Sequence, residues 1–180
     1  MLVGLVACSS TSPSASPARS PSGKSAASTA TSTAAPAPSQ AEDVCGLIPT
    51  SAVTAVFGGT VTKAEPGSFF ISPLCNWTVT GSNLGVDGTV QVIHLTTYDA
   101  AKYESAKKDA LTRSGVVAVT GIGDDAFYDP GVTSAAVHKG DTVYFVGALF
   151  HAKPGGVLDA AKIKAEDLAM AKAVAAAIRP

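Results

Sequence analysis

A low-complexity tract near the start of this chain confines its folding to the later residues. Of the 33 residues from 9 to 41, 29 are Ser, Thr, Ala or Pro, and the only charges there are Arg19 and Lys24. Such a tract cannot bury enough apolar surface to offset the entropy of ordering its backbone. We therefore predict a disordered linker over residues 9–41, either plain or O-glycosylated, and a single globular domain over residues 42–180.

The charge balance argues against binding to nucleic acid or to anionic lipid, and the hydropathy argues against a membrane-spanning helix. The chain has 13 basic and 14 acidic residues and a formal net charge of -1. We therefore expect no basic surface for nucleic acid or for anionic lipid. No apolar run approaches the roughly 20 residues that a membrane-spanning helix needs.

The first cysteine lies in a short motif just before the linker. Leu5-Val6-Ala7-Cys8 resembles the lipobox of bacterial lipoproteins. This resemblance implies a diacylglycerol on the Cys8 sulfur, cleavage before Cys8, and acylation of the new amino group, for example with palmitate. Two or three acyl chains hold a protein stably on a membrane, which would place the chain on the extracytoplasmic face. An ordinary thiol is the alternative. We expect residues 1–8 to be a signal-peptide remnant with its true start upstream, because a full signal peptide is longer.

The other two cysteines form an even pair in a chain that should meet oxidising conditions. We predict a disulfide between Cys45 and Cys75, and the alternative is two buried free thiols. In the chain-entropy model, closing this loop stabilises the fold by about 3 to 4 kcal/mol. We predict no metal site and no cofactor, because His94, His138 and His151 lie at no metal-ligand spacing.

Residue patterns in the first half predict a helix followed by three strands. The helix covers residues 50–57 and ends at Gly58, with Thr50 or Ser51 as its cap. The strands cover residues 60–65, 75–80 and 89–97, with a Pro/Gly loop over 66–73. Trp77 should pack beside the disulfide, because it shares a face with Cys75.

The second half repeats this order. Patterns predict a helix over 99–113, strands over 116–120, 133–138 and 142–150, and an Ala-rich final helix. The strand over 142–150 is apolar on both faces, which is typical of a central strand. Hairpin-length connections predict an α+β fold, an antiparallel β-sheet of about five to six strands with about three packed helices. The alternative is a Mog1/PsbP-like α/β/α sandwich.

Two ligand patterns in the chain have simpler explanations. Residues 121–126, Gly-Ile-Gly-Asp-Asp-Ala, match a dinucleotide fingerprint in letters, but no helix can open at these glycines to present its amides. A turn between strands explains them. Asp124, Asp125 and Asp129 lack the spacing of a calcium loop.

His94 should lie on a strand face with Val90, where a histidine usually makes one structural hydrogen bond.

Five short motifs appear in an order that is found in a known family. They are the helix after Cys45 that ends Phe57-Gly58-Gly59, Cys75-Asn76-Trp77, residues 121–127, Lys139-Gly140-Asp141, and the Ala-rich last helix. Together with the anchor, they resemble actinobacterial envelope lipoproteins of the domain-of-unknown-function 3558 type. The resemblance implies an envelope component without an established activity, and it assigns no catalytic residue.

Two classes of function fit these observations. The first is a non-catalytic binding or accessory module of the cell envelope, anchored to the membrane through lipid on Cys8. The second is an envelope hydrolase or transferase built from scattered residues, in which a histidine would meet Ser or Asp in a pocket. Within the first class, a small apolar ligand predicts an enclosed cavity, and a protein partner predicts an exposed apolar patch.

Overall fold

A computed structural model of the chain describes residues 43–152 and 157–179, which contain one seven-stranded antiparallel sheet and four helices. The strands are β1 (Thr60–Phe69), β2 (Ser72–Thr80), β3 (Asp87–His94), β4 (Val117–Val119), β5 (Asp125–Asp129), β6 (Ser134–Lys139) and β7 (Thr142–His151). The helices are α1 (Val44–Leu47), α2 (Thr50–Phe57), α3 (Ala100–Ala110) and α4 (Ala160–Ala177). The predicted α+β class is confirmed, with more strands and helices than the sequence indicated. Cys8 and the linker lie outside the described residues.

Helices cover both faces of the sheet. On the first face, Phe57 of α2 and Met170 of α4 pack with Trp77 and Val146. On the second face, Tyr103 of α3 packs in a separate cluster that contains Phe127 and Ile93. The layering is therefore that of an α/β/α sandwich, the arrangement named as the alternative, and the antiparallel strands keep the domain in the α+β class.

The strand order is β1-β2-β3-β7-β6-β5-β4, with β7 in the middle. β7 pairs with β3 on one side and β6 on the other. Its side chains alternate between two covered faces, which is why its sequence is apolar throughout. The predicted central position of this strand is confirmed.

The first hairpin differs from its prediction. Residues 66–73 were expected to form a loop, but β1 continues to Phe69, β2 begins at Ser72, and the turn contains only Phe70 and Ile71. Pro66 is tolerated here because β1 is an edge strand, so its missing N–H removes no bond to a neighbouring strand. The hairpin is therefore several residues longer than predicted.

The seventh strand, β5, was not predicted. It is short and runs between β4 and β6, and the glycine-rich segment before it forms the predicted turn between strands. Gly121 and Gly123 have positive φ angles of 80° and 63°. Asp124 accepts a hydrogen bond from the Gly140 amide at 2.7 Å. The segment thus ties two hairpin ends together.

Two predicted helix ends need correction. α2 has Pro49 as its N-cap, without the predicted side-chain cap from Thr50 or Ser51. α3 ends at Ala110 rather than at Arg113, and Asp99 caps its start by accepting from the Lys102 amide. These ends do not change how the helices pack.

The predicted disulfide is present. Cys45 of α1 is bonded to Cys75 of β2, with 5.1 Å between their Cα atoms. Cys75 and Trp77 are both fully buried on the first face. The bridge therefore holds the first helix against the sheet beside the only tryptophan. Within residues 43–152 and 157–179, we find no helix whose length and apolar character suit a membrane span.

Candidate functional site

The three histidines occupy separate parts of the described structure. His94 lies on the first face and stacks on Tyr144, with 4.8 Å between ring centroids. His138 lies on the second face and stacks on Tyr103 at 5.0 Å. His151 is exposed at the end of β7. The structure therefore does not bring them together into one site.

His138 has the neighbours most similar to those of a catalytic group. Asp125 lies opposite it in the β5–β6 pairing and forms an ion pair with Lys107 of α3. Burial, and then the Asp125 carboxylate, raise the pKa of Tyr103 above its usual value. In the described part of the chain, neither His138 Nε2 nor the Tyr103 hydroxyl has a hydrogen-bond partner. None of these residues lines either of the two cavities described below.

The three aspartates that were considered for calcium are used in structural contacts. Asp129 accepts from the Gly131 amide at 2.9 Å and pairs with Arg113 at 2.9 Å. Asp124 and Asp125 contact Gly140 and Lys107, as described above. In the ranges 43–152 and 157–179, no three His, Cys, Asp or Glu side chains are grouped as metal ligands would be.

Two cavities open on the surface of the described structure. The larger, of about 410 Å³, lies between α1 and the end of α4. Its rim includes Asp43 and Arg179, the first and last described residues, next to which the chain continues. The smaller, of about 290 Å³, lies on the second face of the sheet and is lined only by uncharged residues. We take the smaller cavity as the candidate site.

This cavity, which we call the open groove, has a floor made by two paired strands. Ile93 of β3 lies beside Phe145 of β7, and Gln91 lies beside Gly147. The Gln91 side-chain amide donates to Asn76 Oδ1 at 2.9 Å, so a hydrogen bond within the sheet uses part of its polar capacity. The floor therefore offers mainly hydrocarbon to a ligand.

The walls of the open groove come from two hairpins. Phe69 of β1 contributes one side, and residues 132–134 before and at the start of β6 contribute the other. Thr133 takes a positive φ of 44° and donates from Oγ1 to the Ala148 carbonyl at 3.3 Å. A Cβ on Gly147 would lie 2.7 Å from the Thr133 carbonyl oxygen. The close neighbour of Gly147 is therefore this segment, and the glycine lets the wall approach the floor.

The open groove continues into a cluster of exposed apolar side chains. Phe70 is 87% exposed and Ile71 is 74% exposed at the turn of the β1–β2 hairpin. Around the groove, Phe69, Val132 and Leu149 are each at least half exposed. Phe69 and Phe70 meet edge to face, with 4.8 Å between ring centroids. Exposed apolar side chains that adjoin in this way are typical of interaction surfaces.

The segment that contributes Phe69, Phe70 and Ile71 to this surface has no charged residue over a long stretch. Residues 66–86 contain no Lys, Arg, Asp, Glu or His. Sequence reasoning missed this site because it assigned residues 66–73 to a loop. The available signal was Phe69-Phe70-Ile71, three large apolar residues where loops are usually polar.

Comparisons with known proteins give one match. A family model described as protein of unknown function (DUF3558) matches residues 3–154. No curated protein and no solved structure matches the chain.

Proposed function

This chain belongs to the DUF3558 family, and from that membership we propose that it is an exported, lipid-anchored protein of the cell envelope. We further propose that its globular domain is a non-catalytic binding or accessory module. The domain binds its partner at the open groove, through an apolar surface of that partner. The observation that supports this most strongly is the uncharged, exposed apolar surface around the groove.

The proposed anchor is supported by the sequence before the domain. Leu5-Val6-Ala7-Cys8 has the lipobox pattern, and the Ser/Thr/Ala/Pro tract follows at once. Lipid on Cys8 would place the domain on the extracytoplasmic face of the membrane, where cysteines oxidise. The Cys45–Cys75 disulfide suits that compartment.

The groove is open to solvent, and this shape supports the binding of an external partner with an apolar surface. Both cavities described above open to the surface, whereas a carrier of a small apolar ligand was expected to enclose it. Leu149 and Val132 are 55% and 56% exposed, which is unusual for large apolar side chains that lie together. Covering them would stabilise a complex through the hydrophobic effect.

The arrangement of polar residues favours binding over hydrolysis or group transfer. A catalytic histidine needs a nucleophile or acid partner and space for a substrate. The three histidines lie apart, and neither described cavity is lined by any of them. We therefore propose no catalytic residue.

A dye-binding experiment tests the groove. Anilinonaphthalene sulfonate fluoresces when it binds exposed apolar surface. We expect the double substitution Val132→Gln with Leu149→Gln, in a chain that also carries Cys8→Ser, to lower dye affinity about tenfold, because it removes apolar contact without adding charge. Both side chains are exposed, so the fold should tolerate the change.

The matched control is Leu111→Gln, because Leu111 is 40% exposed at the end of α3 and does not line the groove. It should leave dye affinity unchanged. Trp77 fluorescence during unfolding checks that each variant is folded. Dye binding that is equal in the double variant and the parent chain would overturn the proposed role of the groove.

A further inference from the structure

We propose that the turn of the β1–β2 hairpin is a membrane-contact element. Phe69, Phe70 and Ile71, which we call the apolar tip, enter the interfacial layer of the lipid bilayer. This adds a second membrane contact to the proposed anchor, and it rests on the proposed function only in that the anchor brings the domain to the bilayer. The contact holds the domain close to the membrane surface.

The side chains of the apolar tip suit hydrocarbon better than water. Phe70 and Ile71 are 87% and 74% exposed, and Phe69 is 50% exposed. No charged residue lies nearer to the tip along the chain than Glu65 on one side and Asp87 on the other. Entry into the interface therefore buries apolar area without desolvating a nearby charge on this hairpin.

The backbone of the tip carries few polar groups that lipid would leave unpaired. Phe69 pairs with Ser72, so only Phe70 and Ile71 lie in the turn itself. On the edge strand, Pro66 lacks the N–H that would otherwise face outward. Unpaired backbone groups are costly in a bilayer, and a tight hairpin keeps their number small.

The turn places a large aromatic residue in an unfavourable backbone conformation. Phe70 has a φ of 54°, in the left-handed region where Gly or Asn is preferred and bulky residues are rare. Such strain often occurs at functional sites. Turn geometry alone would favour Asn or Gly here. The Phe70 ring touches Phe69 but remains 87% exposed, so we attribute its presence to a contact outside the domain.

The apolar tip lies at the end of the sheet at which the described part of the chain begins. Cys45 is two residues from the first described residue, Asp43, and its Cα lies 5.1 Å from the Cα of Cys75. Cys75 lies near the start of β2, four residues after Ile71. Four residues of a strand span about 13 Å. The described domain therefore begins at the same end of the sheet as the apolar tip.

A bilayer fits the tip better than a second copy of the chain does. Three side chains of this size cover roughly 500 Å², whereas a stable dimer buries about 800 Å² on each partner. The tip also forms the end of a hairpin, and of its three residues only Phe69 lines the open groove. A bilayer accepts such a shape because it deforms around it.

The test uses the full chain with Cys8→Ser, so that no lipid can be attached, and flotation with phosphatidylcholine vesicles. We expect the parent chain to float with the vesicles. Phe70→Asn and Ile71→Asn should each lower the partition coefficient roughly tenfold, since each removes a large apolar side chain. Asn accepts a positive φ, so Phe70→Asn should keep the turn and the fold.

The control is Val157→Asn, which removes a side chain that is 95% exposed outside the tip and should leave vesicle binding unchanged. Absence of vesicle binding by the parent chain would overturn the inference. Binding by both tip variants that equals binding by the parent chain would also overturn it. A dimer in sedimentation that Phe70→Asn dissociates would also overturn it. Dye binding to the groove and anchoring at Cys8 are measured separately, so failure of the tip is distinguishable from failure of the proposed function.

Discussion

Asp167 is an ionisable residue held inside the domain. It lies on α4, has no exposed surface, and accepts a long hydrogen bond of 3.5 Å from the Tyr128 hydroxyl. Burial raises the pKa of Asp167 to about 8, and this exceeds the lowering by the Tyr128 hydroxyl and the Ala148 amide. The neighbouring Glu166 is also buried, and burial raises its pKa in the same direction.

These shifts predict a domain that loses stability as pH rises. The pKa of Asp167 is about 8 in the folded state and about 3.9 in an unfolded chain. Between these values the folded state binds more protons, so the free energy of unfolding falls from about pH 4 to about pH 8. We expect Asp167→Asn to flatten this dependence and to stabilise the domain at pH 8 by about 2 to 4 kcal/mol.

Denaturant unfolding at pH 5 and pH 8, followed through Trp77 fluorescence, measures this effect. Glu104→Gln is the control, because Glu104 is an exposed acid on α3, and it should behave as the parent chain does. An equal change in stability between pH 5 and pH 8 in Asp167→Asn and in the parent chain would contradict the raised pKa of Asp167.

The two buried acids could not be predicted from the sequence. The sequence predicted the last helix from its Ala-rich composition, and the structure buries Ala171 and Val174 of that helix and Ile178 at its end. Acidic residues usually face water, so the sequence pattern did not mark Glu166 and Asp167 as buried. Tertiary contacts with the sheet decided otherwise, and those contacts are not encoded in local spacing.

At the scale of elements, the disulfide is the main constraint on the start of the domain. α1 has only four residues and is too short to be stable alone. The Cys45–Cys75 bond and the buried Val44 hold it against β2. The bridge thus fixes the start of the described domain against the sheet.

Removing the bridge should weaken the whole domain. We expect Cys45→Ala with Cys75→Ala to lower the free energy of unfolding by about 3 to 4 kcal/mol, because the unfolded chain regains the freedom of the closed loop. Denaturant unfolding monitored by Trp77 measures the loss. Cys8→Ala, which leaves the bridge intact, should show none, and a loss below about 1 kcal/mol in the double variant would argue against this role.

Elements with strong local sequence patterns could be predicted. Elements whose limits depend on hydrogen bonding to a neighbouring strand could not. β7 was placed correctly because a long apolar run is rarely stable except between two covered layers. The β1–β2 hairpin was misread because Pro66 and Gly67 suggest a loop, whereas an edge strand tolerates both. β5 was missed because its five residues begin and end with Asp. The candidate site depends on the misread hairpin, so sequence reasoning could not locate it.

At the scale of the whole domain, the two faces of the sheet differ in how they are covered. Three helices pack on the first face, which leaves its core residues buried. α3 covers only part of the second face, and the open groove occupies the part that remains. The groove and the apolar tip adjoin through Phe69. The central claim is that this uncharged surface is covered when the protein works.

Carbene footprinting on intact host membranes tests this claim most directly, because it labels side chains according to their exposure. Labelling of Phe70 and Leu149 should be severalfold lower on membranes than in the purified Cys8→Ser chain, and labelling of the exposed Val157 should stay the same. Equal labelling of Phe70 and Leu149 in both samples would contradict the account, because the surface would then be open to water where the protein works.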